Sequence, residues 1–364
     1  MSRVLTLNAG SSSIKFALYG EGGSETPLVK GQVVFGITEN VLQVGGEADM
    51  PFQAAGGHAP VALLEHLRAR PGFDGIAAIG HRIVHGGRDF ERPVRLTEDV
   101  MSKLRALVPL APLHQPHNLA GIAAASAIWP EAVQIGAFDT AFHYTQPRVA
   151  GIYALPPEYE ARGLIRYGFH GLSYQYVAEE LRRRDGGIPE RTIVAHLGAG
   201  CSMAALRNGR SIATSMGFTA LDGLPMATRS GRVDPGLILH LIGHEGMSAA
   251  ELGDLLYRKS GLAGLSGTTG DMRALAASDA PDARFARDYF AYCCRMEIGA
   301  LAAALGGCDA LVFTGGVGAN DTAIRADIMH GLDWLCVPTV LAMPTDEERV
   351  IAEGCAALLG EVNG

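Results

Sequence analysis

Two short turns rich in glycine and serine are the first places in this sequence where the residue types suggest chemistry. Residues 8–13 read Asn-Ala-Gly-Ser-Ser-Ser, and Lys15 follows them closely. Residues 198–202 read Gly-Ala-Gly-Cys-Ser, 190 positions further along the chain. Such turns expose successive backbone N–H groups and hydroxyls, an arrangement that binds phosphate. The same composition is typical of an ordinary hairpin turn, but its repetition favours two turns that hold a polyphosphate from both sides.

A third glycine-rich segment follows an apolar stretch near the end of the chain. Residues 310–314 predict a buried strand, and Gly315, Gly316, Val317 and Gly318 come directly after it, before a segment compatible with a helix. Backbone at such a point can approach a flat ring or a phosphate, although a strand-to-helix turn also needs glycine for steric reasons alone. The sequence contains no GxxxxGK[ST] pattern, so this is not a Walker phosphate loop.

Period-two and helical patterns predict the elements that must position these turns. Apolar residues alternate around both turns, which predicts two hairpins, with strands at 4–7 and 14–19 and at 193–197 and 203–206. Further strands are predicted at 76–84, 132–138 and 310–314, and helices at 60–70, 98–108, 174–184, 248–259 and 282–305. The alternation indicates an α/β fold. The repeated hairpin indicates two related domains with a hinge near His143 and a ligand in the cleft between them.

Length and composition exclude several classes of protein. The chain has 364 residues and 48% apolar content, enough for two domains that each bury a core. Its net charge of −8 arises from 30 basic and 38 acidic residues that are interspersed, so no nucleic-acid partner is expected. The six cysteines show no zinc-binding spacing, and no apolar run is long enough to span a membrane. We therefore expect a cytoplasmic protein with reduced thiols and without a signal peptide or membrane span.

Ten short motifs follow one another along the chain. They read LNAGSSSIKFALY from Leu7, HRIVHGG from His81, APLHQPHNLAGI from Ala111, FDTAFH from Phe138, RYGFHGLS from Arg166, HLGAGCS from His196, TSMGFTALDGLPMATRSGRVDP from Thr214, SGTTGDMR from Ser266, FTGGVGAND from Phe313 and PTDEE from Pro344. In this order the sequence resembles the acetate kinase family over nearly its whole length. The resemblance implies the fold of actin, sugar kinases and Hsp70. Two actin-like (ribonuclease H-like) domains, residues 1–143 with 349–364 and residues 144–348, would face a central cleft.

The resemblance implies reversible transfer of the γ-phosphoryl group between ATP and acetate by direct in-line displacement. A carboxylate is already ionised at neutral pH, so no general base is needed and electrostatic stabilisation must supply most of the catalysis. By correspondence with the family, the catalytic residues are Arg82, Asp139, His170 and Arg229. The two arginine forks would bind carboxylate and phosphoryl oxygens, Asp139 would position magnesium or substrate, and His170 would hydrogen-bond the planar phosphoryl group. Without the family, Asp139 could instead be a helix N-cap, and either arginine a surface ion pair.

The same correspondence assigns three binding sets. The acyl pocket would be formed by Arg82, Val84, Leu113, Phe169 and Ala220. The nucleotide would be bound by Ser11, Ser13, Lys15, His196, Leu197, Gly198, Ala199, Gly200, Asp271, Met272, Arg273, Gly315, Gly316, Val317, Gly318 and Asn320. Mg²⁺, or Mn²⁺ in its place, would be held by Asn8 and Glu347, since Mg²⁺ prefers oxygen ligands. Glu348 needs no catalytic role, because Thr345 and Glu348 have the spacing of a capping box.

Six positions depart from the residue usual in the family. Alanine replaces asparagine at 199, proline at 220 and glutamate at 319; the other three are Tyr174 for histidine, Cys201 for a small apolar residue and Arg232 for an acidic one. The amide lost at Ala199 predicts weaker phosphate binding. The smaller side chain at Ala220 predicts room for propionate or butyrate beside acetate, since each buried CH₂ contributes only about 0.8 kcal/mol to discrimination.

Three other functions stay open at this point. A kinase of propionate or another short-chain carboxylate would use the same residues. A non-catalytic ATP-binding protein of the same fold would need the glycine turns but not the four catalytic residues together. A sugar kinase would need a polar pocket in place of the apolar acyl pocket. A homodimer is implied by the family alone.

Overall fold

The computed structural model describes residues 3–10, 13–20, 26–35, 39–53, 59–112 and 114–360. The chain forms two units, Met1–Phe142 with Asp346–Gly364, and His143–Thr345. The first unit ends at Phe142, one residue before the expected end, and resumes at Asp346, three residues before the expected position. Glu347 and Glu348 therefore belong to the first unit and not to the second. The predicted site residues Ser11 and Leu113 lie outside the described ranges. Within those ranges, no helix has the length and apolar character needed to cross a membrane.

Strands and helices alternate along the described chain. The strands are β1 (Arg3–Ala9), β2 (Ser13–Tyr19), β3 (Val29–Val34), β4 (Asn40–Val44), β5 (Met50–Phe52), β6 (Ile76–Ile83), β7 (Val94–Arg95), β8 (Val133–Phe138), β9 (Arg191–Leu197), β10 (Cys201–Arg207), β11 (Arg210–Thr214), β12 (Ala310–Thr314) and β13 (Thr339–Ala342). The helices are α1 (Ala59–Arg68), α2 (Glu98–Ala106), α3 (Gln115–Ile128), α4 (Arg148–Gly151), α5 (Pro157–Ala161), α6 (Gly171–Arg183), α7 (Pro235–Gly243), α8 (Ala249–Arg258), α9 (Gly261–Ser266), α10 (Met272–Ala276), α11 (Pro281–Leu305), α12 (Gly315–Asn320), α13 (Thr322–Met329) and α14 (Glu347–Gly360). All the strands and helices predicted from the sequence are confirmed, with ends within three residues of those expected.

The described strands of the first unit form one eight-stranded sheet in the order β5-β4-β3-β2-β1-β6-β8-β7. Strand β1 pairs antiparallel with β2 and parallel with β6, and β6 pairs parallel with β8. Alternation along β1 and β2 places Leu5, Leu7, Phe16 and Leu18 in one core with the apolar face of α1. Helix α14 packs on β1 and β6. The returning end of the chain therefore completes the first unit.

The described strands of the second unit form a five-stranded sheet in the order β11-β10-β9-β12-β13. Strand β9 pairs antiparallel with β10 and parallel with β12, the same arrangement that β1 has with β2 and β6. Helix α11 packs on β9, β10 and β11, while α6 and α12 also contact β9. Strands β9 and β10 are nearly continuously buried, as expected for strands covered by helices. The duplicated α/β fold predicted from the repeated hairpin is confirmed.

Helix α12 starts earlier than the sequence predicted. The glycine segment after β12 is itself the first turn of the helix, which begins at Gly315, rather than a turn that precedes it. Gly315 has a φ of +77°, and a side chain there would strike the backbone of Leu197. Only glycine satisfies both constraints. The steric explanation of this glycine is therefore sufficient, and it also places the helix N-terminus directly beside β9.

Helix α14 is capped by a different residue from the one predicted. The Oδ1 atom of Asp346 accepts a hydrogen bond from the N–H of Arg349 at 3.1 Å. The predicted capping box between Thr345 and Glu348 is wrong: Thr345 Oγ1 is buried without a hydrogen-bond partner in the described part of the chain. The physical reason is that Glu348 turns away from the helix end and accepts a hydrogen bond from Asn8 instead.

Close packing of α14 on β6 depends on Gly80. A Cβ atom at this position would overlap Ile351 Cγ2 and Cys355 Sγ. We expect Gly80→Ala to lower the free energy of unfolding by about 1–3 kcal/mol, the usual cost of overpacking a core. Chemical unfolding followed by circular dichroism measures this difference.

The matched control for this substitution is Gly121→Ala. Gly121 lies in α3 with open space around its Cα atom, so the change should stabilise the protein by up to about 1 kcal/mol. Adding Cys355→Ala to Gly80→Ala removes one of the two overlaps and should restore part of the lost stability. If Gly80→Ala were as stable as the wild type, α14 could not pack on β6 as described.

Candidate active site

A buried ion pair joins two neighbouring strands of the first unit. Arg82 Nη2 lies 2.6 Å from Asp139 Oδ2, and Arg82 Nε donates to Asp139 Oδ1 at 3.0 Å. The Arg82 side chain is 15% exposed and that of Asp139 is 1% exposed. Parallel pairing of β6 with β8 brings the ends of both strands to one edge, where the N–H of Asp139 donates to the carbonyl of Ile83 at 3.0 Å. The sequence prediction that Asp139 ends an apolar strand is confirmed; it is not a helix N-cap.

Asn8, at the end of β1, connects this ion pair to α14. Its Oδ1 accepts from Arg82 Nη1 at 3.0 Å, and its Nδ2 donates to Glu347 Oε2 at 2.8 Å and to Glu348 Oε1 at 2.9 Å. Burial, and then the neighbouring carboxylate of Glu347, raises the pKa of Glu348. Burial lowers the pKa of Arg82, but the carboxylates of Asp139 and Glu347 outweigh it and raise the net value, so the guanidinium stays charged. The structure thus brings four predicted residues of the first unit together.

These residues partly fit a magnesium ion. Carboxylate and amide oxygens are the ligands that Mg²⁺ prefers, and its sites usually combine one or two carboxylates with water and substrate phosphate oxygens. Glu347 and Asp139 supply such carboxylates, although both oxygens of Asp139 accept from Arg82, as does Oδ1 of Asn8. Within the described ranges, no group of three or more His, Cys, Asp or Glu side chains could hold a metal by itself. The donor set therefore fits an ion that arrives with phosphate ligands, not one held in a closed protein cage.

Two side chains that the sequence analysis missed hold the segment after Arg82. Asn118 Oδ1 accepts from the N–H of Val84 at 3.1 Å, and Thr140 Oγ1 accepts from the N–H of Gly86 at 3.0 Å. Val84, predicted for the acyl pocket, is buried at the end of β6. Asn118 and Thr140 are themselves buried. Asn118 lies in α3, a helix that was not predicted from the sequence, and Thr140 follows a predicted strand; a single polar residue at either place has no distinctive spacing that would indicate these contacts.

The histidines on either side of Arg82 add no charge to the cluster. His81 and His85 are both buried, and burial lowers the pKa of each to about 4. Near neutral pH both rings are uncharged. His81 Nε2 pairs with Gln134 Oε1 at 2.7 Å. The guanidinium of Arg82 is therefore charged between two uncharged imidazoles.

Two stacked imidazoles lie at the second glycine turn, in the second unit. The ring centroids of His170 and His196 are 4.3 Å apart with an interplanar angle of 17°. Each ring has a serine at Nδ1: Ser202 Oγ lies 2.8 Å from His170, and Ser173 Oγ lies 2.8 Å from His196. His170 is the N-cap of α6 in a left-handed conformation with φ of 58°. A histidine rarely adopts this backbone, and it persists where the surrounding contacts hold it.

Arg229 and Ala220 are linked through the backbone. Arg229 Nη1 donates to the carbonyl of Ala220 at 2.9 Å and is half-buried. Phe169, which was predicted for the acyl pocket, is buried, and its carbonyl bonds His143 Nε2 at 3.0 Å. Burial lowers the pKa of His143 to about 4, so this ring is neutral. The structure therefore joins Arg229, predicted to be catalytic, to Ala220, predicted for the acyl pocket.

The segments of the second unit that were predicted to bind the nucleotide adjoin one another. A side chain at Gly315 would strike Leu197, and one at Gly198 would lie 3.9 Å from the N–H nitrogen of Gly316. The turn at 198–200 is closed by a bond from the N–H of Gly198 to the carbonyl of Gly200 at 3.1 Å. The N-terminus of α12 therefore lies beside the turn, and both present backbone N–H groups. Val317 and Gly318 continue the first turn of α12.

The Asp271 segment joins this region through backbone contacts. The carbonyl of Ala199 accepts from the N–H of Ala227 at 3.1 Å, and a side chain at Gly270 would strike the carbonyl of Ala227. Asp271 caps α10 by accepting from the N–H of Arg273 at 2.8 Å. Two further residues were predicted to bind the nucleotide. Met272 is buried in α10, and Nδ2 of Asn320 donates to the carbonyl of Gly316 at 2.9 Å.

The first hairpin is described only in part. Ser13 and Lys15 lie on β2, where Lys15 is exposed and stands opposite Asn8 in the strand register. The carbonyl of Ser13 accepts from the N–H of Gly10 at 2.8 Å and closes the turn. Ser13 and Lys15 thus lie at the end of β2 that adjoins the Asn8 cluster.

Comparison with known proteins shows sequence similarity along the whole chain and not only at the short motifs. The profile of the Acetokinase family matches residues 3–355. The acetate kinase of Methylocella silvestris is 44% identical over 404 residues, covering 100% of this chain and 99% of that protein. The acetate kinase of Nitrobacter hamburgensis is 45% identical over 395 residues, covering 99% and 96%.

Solved structures agree with these sequence matches. A propionate kinase from Francisella tularensis superposes with a TM-score of 0.90 at 35% identity, covering 97% of this chain and 99% of that one. An acetate kinase from Porphyromonas gingivalis superposes with a TM-score of 0.86 at 34% identity, covering 99% and 100%. The resemblance that the motifs indicated is confirmed along nearly the whole chain: it belongs to the acetokinase family.

Proposed function

We propose that this chain transfers the γ-phosphoryl group of ATP to acetate, giving acetyl phosphate and ADP, and that it catalyses the reverse reaction. The observation that carries this proposal is the charged Arg82 held between Asp139 and Asn8, with Glu347 beside it. Two relatives that are 44% and 45% identical to this chain over almost its full length are acetate kinases. A protein that only binds ATP has no need of a buried, fixed cation beside a set of carboxylates.

The reaction needs no proton transfer at its centre. A carboxylate oxygen of acetate forms a bond to the γ-phosphorus, the bond from that phosphorus to the β–γ bridging oxygen breaks, and the electron pair leaves on ADP. Both reactants are anions, so the protein must supply fixed positive charge and hydrogen-bond donors where they meet. This is why arginines and backbone N–H groups dominate the predicted site.

Arg82 is oriented for this task by its own hydrogen bonds. A guanidinium has five N–H groups; three of them point at Asp139 and Asn8. One N–H on each terminal nitrogen is left for acetate and phosphoryl oxygens. Because Asp139 holds the fork in one plane, the remaining donors are pre-positioned, and no reorganisation is needed as charge shifts in the transition state.

Magnesium would be held by Glu347 and Asp139, with Asn8 nearby, and would neutralise charge on the β- and γ-phosphates; Mn²⁺ has the same ligand preference. We assign the ATP phosphates to the glycine turns and the adjoining N-terminus of α12, and the adenosine to the segments around Asp271 and Asn320. His170 and Arg229 would donate to the transferring phosphoryl group. We also assign the two units as the two domains expected from the sequence.

The decisive test of this function is substitution of Arg82. Arg82→Lys keeps a positive charge but loses the fork, so kcat should fall by about 10²-fold or more, in line with the loss of one pre-oriented donor. Acetyl phosphate formation from Mg-ATP and acetate, trapped as the hydroxamate, measures kcat. Arg82→Gln combined with Asp139→Asn avoids an unpaired buried carboxylate and should be equally inactive while staying folded.

Arg105→Lys is the matched control for Arg82→Lys. Arg105 forms an exposed ion pair with Glu98 at 2.6 Å on α2, so its substitution should leave kcat unchanged. An Arg82→Lys enzyme with wild-type kcat would refute the role given to Arg82. A wild-type protein that forms no acyl phosphate would refute the proposed function.

The acyl selectivity of this site depends on Ala220. Alanine leaves more space here than the proline usual in the family, and the Ala220 carbonyl is anchored by Arg229. We expect kcat/KM for propionate to lie within about tenfold of that for acetate, and Ala220→Pro to lower it relative to acetate by about fourfold, the equivalent of one CH₂ of 0.8 kcal/mol. The hydroxamate assay with acetate and with propionate gives the ratio of the two kcat/KM values, both for the wild type and for Ala220→Pro. Propionate a hundredfold worse than acetate in the wild type would contradict this explanation.

We further propose that the chain forms a homodimer through one face of α11. Phe285, Tyr289, Tyr292 and Met296 are spaced along this face and are 38–60% exposed, an unusual run of large apolar side chains. Tyr292→Asp should convert a dimer to a monomer in sedimentation experiments. Val149→Asp, at an apolar side chain on α4 that is 83% exposed, is the matched control and should leave the mass unchanged. A monomeric wild type would contradict the dimer.

A further inference from the structure

A buried chain of three polar side chains in the second unit ends on His170. Ser202 Oγ lies 2.8 Å from His170 Nδ1 and also hydrogen-bonds the hydroxyl of Tyr174. Tyr174 and Ser202 are fully buried. The N-terminal turn of α6 supplies His170 and, four residues later, Tyr174; strand β10 supplies Ser202. Two elements therefore have to pack correctly for the chain of hydrogen bonds to form.

The protons along this chain can be counted. Ser202 Oγ carries one proton. Among the described residues, its hydroxyl hydrogen-bonds only Tyr174 and His170. If both neighbours donated to Ser202, its own proton would be buried without an acceptor, which is unfavourable. One neighbour must therefore donate while the other accepts. A phenol is a stronger donor than a neutral imidazole N–H, so Tyr174 donates to Ser202 and Ser202 donates to His170 Nδ1.

We propose that Tyr174, acting through Ser202, holds the imidazole of His170 in the tautomer that carries its proton on Nε2. This makes Tyr174 and Ser202 positioning residues for His170. The Nε2 atom faces the second glycine turn, because a Cβ atom at Gly200 would lie only 3.4 Å from it. His170 can then donate to an anionic oxygen at this turn without becoming charged. The link to phosphoryl transfer rests on the proposed function, whereas the tautomer itself does not.

The surroundings of the chain support the same proton order. His143 lies edge-on to Tyr174, with ring centroids 5.5 Å apart, and is neutral near pH 7 because burial lowers its pKa to about 4. His196, stacked on His170, has its own hydroxyl partner in Ser173. A histidine in place of Tyr174, usual in the family, could either donate or accept. A tyrosine hydroxyl carries a single proton, which Ser202 accepts in the proposed order.

The tautomer can be measured directly in the ligand-free protein. Long-range ¹H–¹⁵N NMR of ¹⁵N-histidine-labelled protein at pH 8 distinguishes the two ring nitrogens, and His170→Gln identifies the His170 signals. We expect a protonated Nε2 and an unprotonated Nδ1 in the wild type. Tyr174→Phe and Ser202→Ala should each produce a measurable fraction of the Nδ1–H tautomer. Ser202→Thr keeps the hydroxyl and should retain the wild-type spectrum.

Tyr176→Phe, at the next tyrosine of the same helix, is the matched control and should leave the His170 signals unchanged. A wild-type Nδ1–H tautomer, or an unchanged tautomer in both Tyr174→Phe and Ser202→Ala, would overturn the proposal. In kinetics, Tyr174→Phe should lower kcat severalfold while KM for acetate stays the same. Because the spectra are recorded without substrates, they decide the tautomer even if the wild type proves inactive, so failure of this proposal is distinguishable from failure of the proposed function.

Discussion

The buried pairing of Arg82 with Asp139 is the interaction on which the first unit's part of the site depends. A carboxylate that is 1% exposed is costly unless a cation and further donors compensate it. Here the compensation is possible only because parallel strands β6 and β8 end at the same edge and β1 brings Asn8 beside them. The sheet topology and the charge arrangement therefore require each other. Loss of the strand register would separate the ions and leave Asp139 unpaired.

The second unit presents different groups at the corresponding sheet edge. There the turn between β9 and β10, the N-terminus of α12 and the ring of His170 lie together, and they present backbone N–H groups and an imidazole. Glycine allows this closeness, since a side chain at Gly315 would strike Leu197. One duplicated framework thus carries two different kinds of electrostatics. The first unit fixes a charged guanidinium at its sheet edge, and the second unit presents oriented backbone dipoles at the corresponding edge.

The duplicated framework of the fold, and the first-unit cluster, could be predicted from the sequence because their signals are local, repeated or carried by the motifs. Two hairpins with small-residue turns show the duplication, and an acidic residue ending an apolar strand marks Asp139. The motifs supplied Arg82, Asn8 and Glu347, which no spacing connects. The roles of Ser202, Tyr174 and Asn118 could not be predicted, since each depends on a partner 28 to 34 residues distant that only the packing of a helix on a strand brings near.

The failed capping box shows why local patterns mislead at such a site. Threonine and glutamate three apart normally bond each other's backbone, but a competing partner outweighed this preference. Asn8 offers Glu348 a donor in a buried place where an unpaired carboxylate would be costly, and Asp346 was available to cap the helix instead. A carboxylate near a buried cation and amide therefore follows the charge arrangement in preference to the local motif. The same reasoning applies to Arg232: its bond to the buried Glu297 at 3.2 Å gives this departure from the family a structural partner.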